Sequence, residues 1–198
     1  MFTAGIRYML LATLFFSLMN VFVKLLPNIP AVEIVFFRSV VSLVLSVFFL
    51  TIQKVNVWGN NKRRLLARGL CGAVALIMYF TTIQLMPLAS AATIQFLSPV
   101  FSSILGIYIV KEKVHPRQWF FYLIAFAGVI MVKGFDPRIT PILFLVGIVA
   151  ALLSGLAYNF IRKLNTTEHP LVIVFYFPLV TLPITGIICL FGWVQPAG

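Results

Sequence analysis

Residues 33–43 read EIVFFRSVVSL, and residues 172–182 read VIVFYFPLVTL. At that offset Ile34, Val35, Phe36, Val41 and Leu43 meet the identical residues Ile173, Val174, Phe175, Val180 and Leu182. The stretches before them align one residue out of register. An offset of 138 pairs Asn20 with Tyr158, Lys24 with Arg162 and Leu26 with Leu164. Apolar segments match by chance easily, so identity alone is a weak signal, but self-similarity at a fixed period marks a repeated unit. The number of apolar runs between the copies then sets the architecture.

A hydrocarbon core about 30 Å thick is crossed by roughly 20 helical residues at 1.5 Å each. Seven stretches qualify: 5–26, 31–52, 69–87, 90–110, 117–133, 141–161 and 171–192. The composition agrees, with 62% hydrophobic residues, 10% charged residues and a mean hydropathy of +1.08. A soluble domain carries about 25% charge. Prolines punctuate the runs. Pro27 and Pro30 bracket the first connection, Pro87 ends the third run, and Pro116, Pro141 and Pro170 stand at helix starts, where a missing N–H costs least. The expected fold is all-α, a polytopic membrane bundle of seven helices. The apolar N-terminal run continues past signal-peptide length without a small-residue cleavage site, so it reads as a retained helix.

A net charge of +11 would suggest nucleic acid in a soluble chain. Here the basic residues fall in short gaps between apolar runs, where they set orientation. With the N-terminus inside, eleven lie on the cytoplasmic side: Arg7; Lys54, Lys62, Arg63, Arg64 and Arg68; Lys111, Lys113 and Arg117; Arg162 and Lys163. The outer loops hold Lys133 and Arg138, while Lys24 and Arg38 lie within helices. A cytoplasmic N-terminus is therefore expected. Asn165-Thr166-Thr167 fits a glycosylation pattern, which this orientation places inside the cell.

The repeat begins again after five spans. Five is odd, so the second copy enters the membrane from the opposite side and the two form an inverted pair. Inverted repeats are the common architecture of alternating-access transporters, with the substrate between the halves. Residues 1–135 form the first five-helix unit and 136–198 a partial second one. The chain stops at Val194-Gln195-Pro196-Ala197-Gly198, where an outer loop would begin. That favours a ten-helix transporter cut short. A native end there would instead predict an oligomeric role, with a homodimer the simplest assembly.

Polar residues at membrane depth are costly and mark function by default. Thr13, Ser17, Asn20 and Lys24 are spaced 4, 3 and 4, on one helical face. Asn20, Arg38, Gln84 and Gln95 fall roughly 5 to 11 Å below the outer ends of their helices and could form one polar layer. Structural alternatives stand beside that reading. Lys24 and Arg38 can snorkel or pair with Glu33, and Asn20 and Gln95 can serve as interhelical hydrogen-bond partners. Gly147, Ala151 and Gly155, like Gly69, Gly72 and Ala73, are small residues suited to close helix contact. Pro99, Pro178 and Pro183 lie inside helices and free backbone carbonyls. The candidate substrate-binding set is Asn20, Arg38, Gln84, Gln95, Ser17, Lys24 and Tyr158.

The four acids, Glu33, Glu112, Asp136 and Glu168, all stand at span ends or in loops, so no carboxylate proton relay is expected. His115 and His169 are isolated and expected to be solvated. Cys71 and Cys189 lack metal or disulfide spacing. No metal, no cofactor and no catalytic constellation is expected. The partners expected are the bilayer and a small metabolite, without nucleic acid.

The passage MPLASAATIQFLSPVFSSILGIYIVKEKVHPRQWFFYLIAFAGVIMV resembles the end of an EamA domain of the drug/metabolite transporter superfamily. A helix with a central proline, here Pro99, ends at a glutamate, here Glu112, and the next helix carries a glycine near its end, here Gly128. LLATLFFSLMNVFVKLL and Phe36–Arg38 are similar to that domain's first two helices. The resemblance implies a ten-helix inner-membrane carrier moving small metabolites, such as amino acids, their derivatives or nucleotide-like compounds, by alternating access. A seven-helix receptor or photoreceptor is the main rival among other classes, yet residues 171–192 lack the lysine a retinal Schiff base requires. A membrane-embedded enzyme would need intramembrane acids or a metal cluster. A non-transporting membrane subunit would share most of these features.

Overall fold

Proline at a first helical turn and a polar residue just before it recur along the chain, and both fix where helices begin. The computed structural model describes residues 4–111 and 114–194. Glu112, Lys113 and residues 195–198 lie outside the described residues. Among the described residues the helices are α1 (Ala4–Leu25), α2 (Ala31–Ile52), α3 (Lys62–Leu85), α4 (Leu88–Gln95), α5 (Leu97–Ile109), α6 (Pro116–Phe135), α7 (Pro141–Leu164) and α8 (Pro170–Gly192). Segments α4 and α5 are halves of one span broken at Phe96, which leaves seven crossings. Six of the seven, counting Leu88–Ile109 once, are long and apolar enough to cross a membrane. The other, α6, has 20 residues, and Arg117, Gln118 and Lys133 near its ends dilute its apolarity. The chain is an all-α polytopic membrane bundle.

Pro99 explains the break. Its ring clashes with the carbonyl of the residue four positions earlier, Gln95, and it offers that carbonyl no N–H. Pro178 and Pro183 do not break α8. There the hydroxyls of Thr181 and Thr185 donate to the carbonyls of Phe177 and Thr181 at 2.7 and 2.9 Å.

Both histidines are exposed, as expected, and they also serve as helix caps. His169 Nδ1 accepts from the Leu171 N–H at 3.3 Å, and His115 completes a capping box with Gln118. One boundary differs from the expected span, that of α3. It starts at Lys62, seven residues before the expected span, because Leu65 is fully buried beside Leu50, Leu164 and Val172. Arg68 thus sits on a helix and not in a loop.

Small residues let the helices meet. A Cβ on Gly155 of α7 would lie 2.8 Å from the Ser102 nitrogen and 2.9 Å from the Ser98 carbonyl of α5. On α3, one at Gly69 would lie 2.8 Å from Val180 of α8. These approaches bring α3, α5, α7 and α8 together, with α2 against α8 and α1 at the periphery touching α3 and α4. The main core lies among Val35, Phe80, Ile83, Ile94, Leu97 and Ala151. On the outside, apolar side chains such as Phe15, Phe22, Phe120 and Leu123 are exposed, as a lipid-facing surface requires.

At the face where α1 begins, the α2–α3 loop is fastened to the α7–α8 loop. Gly59 takes φ +54°, a conformation that glycine adopts readily, and turns the next two amides onto Glu168. That carboxylate accepts from the Asn60 N–H at 2.8 Å and the Asn61 N–H at 2.6 Å. At the opposite face Arg138 pairs with Asp136 at 3.0 Å, and this hydrogen bond holds the Asp136 carboxyl below the usual carboxylate range.

Candidate functional site

Arg68, Gly72, Ala75, Leu76 and Tyr79 of α3 recur at helical spacing, so they form one stripe. Eleven residues separate its ends, roughly 16 Å along the axis. Ser154, Ala157, Tyr158 and Ile161 make the matching stripe on α7. Between them is a cavity of about 300 Å³, lined also by Phe16, Met19 and Asn20 of α1, Gln95 of α4 and Phe177 of α8. It therefore lies between helices of the first five spans and the two that follow them.

Each polar group there has an identifiable state. Asn20 Nδ2 donates to the Tyr79 hydroxyl at 3.1 Å, and Gln95 Nε2 to the Ser154 hydroxyl at 3.0 Å. The carbonyl oxygens of both amides are buried without a hydrogen-bond partner. Both partners are hydroxyls, which donate or accept, so either amide can turn its oxygen or its NH2 toward the cavity. Gln95 is also the residue whose backbone Pro99 frees, so the helix break and the cavity wall coincide.

Arg68 is the cation of the cavity. Its guanidinium stacks over the Phe177 ring at 4.7 Å from the centroid, a favourable cation–π contact. Nε and Nη1 are buried with no acceptor. Reading charge in gaps assigned Arg68 to orientation. The signal that could have found it was the helical spacing with Gly72, Leu76 and Tyr79.

The other sequence-predicted residues separate by location. Asn20, Gln95 and Tyr158 line the cavity. Arg38 does not, but lies beside apolar grooves outside the cavity, 5.7 Å from the same ring centroid, with Nη1 buried and unpartnered. Gln84 donates to the carbonyls of Leu26 and Ile29 at 2.9 and 2.8 Å, satisfying the turn after α1. Lys24 donates to the carbonyls of Gln84 and Met86 at 3.1 and 2.8 Å. Ser17 is exposed and donates to the Thr13 carbonyl at 3.0 Å. The single polar layer expected from depth thus divides into cavity-lining groups and loop-fastening groups. Neither Lys24 nor Arg38 pairs with Glu33, which is buried and accepts from the Val194 N–H at 2.7 Å.

Comparison with known proteins follows the same outline. Residues 3–134 match the model of the EamA-like transporter family. Over 188 residues the chain is 32% identical to the pseudopaline exporter of Pseudomonas aeruginosa, covering 91% of this chain and 66% of that protein. It is 30% identical to solute carrier family 35 member G1 of Mus musculus over 204 residues, 94% of this chain and 55% of the relative. Identity to the S-adenosylmethionine uptake transporter of Rickettsia prowazekii is 24% over 200 residues, 98% of this chain and 66% of that protein. The chain spans just under two thirds of the length of the first of these relatives. No solved structure matches it.

Proposed function

The chain belongs to the EamA-like transporter family, and from that premise we propose that it is a secondary transporter moving small metabolites, such as amino acids or their derivatives, across the inner membrane by alternating access. The observation that carries the proposal is the cavity between α1, α3, α4, α7 and α8, with polar groups at membrane depth that the protein leaves unpaired. Such groups are retained where a solute completes their hydrogen bonds. The connectivity supports the same reading. Four crossings lie between α1 and α7, and four between α2 and α8, so each pair runs antiparallel, and α2 packs on α8 as helices related by an in-plane pseudo-two-fold axis would.

Its N-terminus is cytoplasmic in this proposal, following the bias of Lys and Arg. One relative is named an exporter and another an uptake transporter, so the proposal concerns the carrier cycle and not a direction. Purified protein in proteoliposomes should show counterflow of at least one solute from a labelled panel of amino acids and S-adenosylmethionine. Asn20→Ala and Gln95→Ala should each lower that flux at least about tenfold, the loss expected when about 1.4 kcal/mol of polar contact is removed. Wild-type flux in both variants removes the site assignment. Flux no greater than in protein-free vesicles, from protein that remains helical and monodisperse, points to a non-transporting subunit.

A further inference from the structure

Two partly buried arginines meet one aromatic ring, and neither pairs with an acid among the described residues. Arg68 approaches Phe177 to 4.7 Å and Arg38 to 5.7 Å. Three of their nitrogens, Nε and Nη1 of Arg68 and Nη1 of Arg38, are buried without a hydrogen-bond partner. The described acids are all committed elsewhere: Glu33 to the Val194 N–H, Asp136 to Arg138 and Glu168 to the Asn60 and Asn61 amides. None lines the cavity. An unpaired charge removed from water is strongly unfavourable, and a second cation nearby makes it more so. An anion supplied from outside the protein would relieve both.

We propose that the transported solute is an organic oxyanion, with its carboxylate or phosphate seated on Arg68 in the cavity and passed along Phe177 to Arg38. A guanidinium receives either group through two parallel hydrogen bonds along one edge. The rest of the solute lies along the α3 stripe toward Asn20 and Gln95, whose reversible amides accept either a donor or an acceptor. Arg38 lies 5.7 Å from the same ring centroid but outside the cavity, and Met19 lines both the cavity and the groove next to Arg38. The ring is thus shared by a cation that lines the cavity and one that does not. The cavity's lack of a carboxylate disfavours solutes whose only charge is positive.

The inference rests on the carrier reading but is tested by binding, which does not require transport. The probes are succinate, L-aspartate and glycerol 3-phosphate, with succinamide and putrescine as uncharged and cationic controls. Phosphatidylglycerol, added to detergent micelles of the purified protein, separates a lipid phosphate from a soluble one. The soluble oxyanions should raise the melting temperature of the wild type in a concentration-dependent way, and the controls should not. Arg68→Gln should abolish the shift while melting no lower than the anion-free wild type, because an unpaired charge has been removed. Arg68→Lys, which keeps the charge and loses the planar fork, should weaken apparent binding at least about tenfold. It also serves as the readout if Arg68→Gln fails to fold. Arg38→Gln should retain the shift within about twofold and lose flux.

A shift that survives both Arg68 substitutions, a response to phosphatidylglycerol alone, or no response to any oxyanion overturns the proposal. So does loss of the shift in Arg38→Gln. Oxyanion binding without flux of any kind would sink the carrier reading and leave the anion site standing. Flux of an uncharged solute without oxyanion binding would do the reverse.

Discussion

Glu168 shows how much one side chain at a loop can determine. It is only 8% exposed, and its carboxylate stands at the start of α3, where backbone amides lack helical partners and a negative charge is favourable. Charge-assisted hydrogen bonds of this kind contribute roughly 1.5–3 kcal/mol each. Glu168→Ala should therefore lower unfolding stability by about 2 kcal/mol or more in detergent. Glu168→Gln, which keeps an accepting oxygen, should restore about half. Thermal denaturation followed by circular dichroism checks this, and an unchanged midpoint in Glu168→Ala would show that the clamp is inert. Position along the sequence identified Glu168 only as a loop acid. It could not show that Asn60 and Asn61 sit against it across more than a hundred residues. The same blindness applies to Gln84 and Lys24. Their depth suggested a ligand site, but their donors satisfy carbonyls at the turn after α1 and the end of α3.

At the scale of helices, contact distance decides which glycines matter. A methyl group on Gly155 would meet α5 backbone atoms at 2.8 and 2.9 Å, and backbone cannot rotate aside as a side chain can. Gly128 of α6 has nothing within 4 Å of its virtual Cβ. Gly155→Ala should cost roughly 1–3 kcal/mol through overpacking. Gly128→Ala should be neutral or stabilising by about 0.4–1 kcal/mol, since alanine reduces the freedom of the unfolded chain. Unfolding titrations on the two variants test the contrast, and equal losses would contradict it. The small-residue spacing on α7 was legible in the sequence because it recurs every four residues. The break in α4–α5 was half legible. Pro99 announced a distortion, but only packing set Gln95, at the freed turn, against Ser154.

For the whole molecule, orientation follows from charge. Gln53 lies at the face where α1 begins and Arg138 at the opposite face. In a background lacking Cys71 and Cys189, Arg138→Cys should react with a membrane-impermeant maleimide in intact cells, and Gln53→Cys only after permeabilisation. The reverse pattern would invert the proposed topology. The peripheral position of α1 has a consequence for the cavity as well. Phe16, Met19 and Asn20 line it from a helix that touches α3 and α4, so one wall of the site depends on contacts made at the edge of the bundle.

The sequence by itself determined the class, the number of crossings and where most helices begin. Apolar runs of membrane length, prolines and capping residues act locally, and lipid forces every backbone group into a helix. It also carried the family, through motifs that are contiguous in the chain. Tertiary structure decided which polar residues face one another. Asn20 meets Tyr79, Gln95 meets Ser154, and Arg68 shares Phe177 with Arg38. Those pairings depend on the rotation and close approach of helices far apart in sequence. Depth along a single helix does not encode them, and they separate the cavity-lining groups from those that fasten loops.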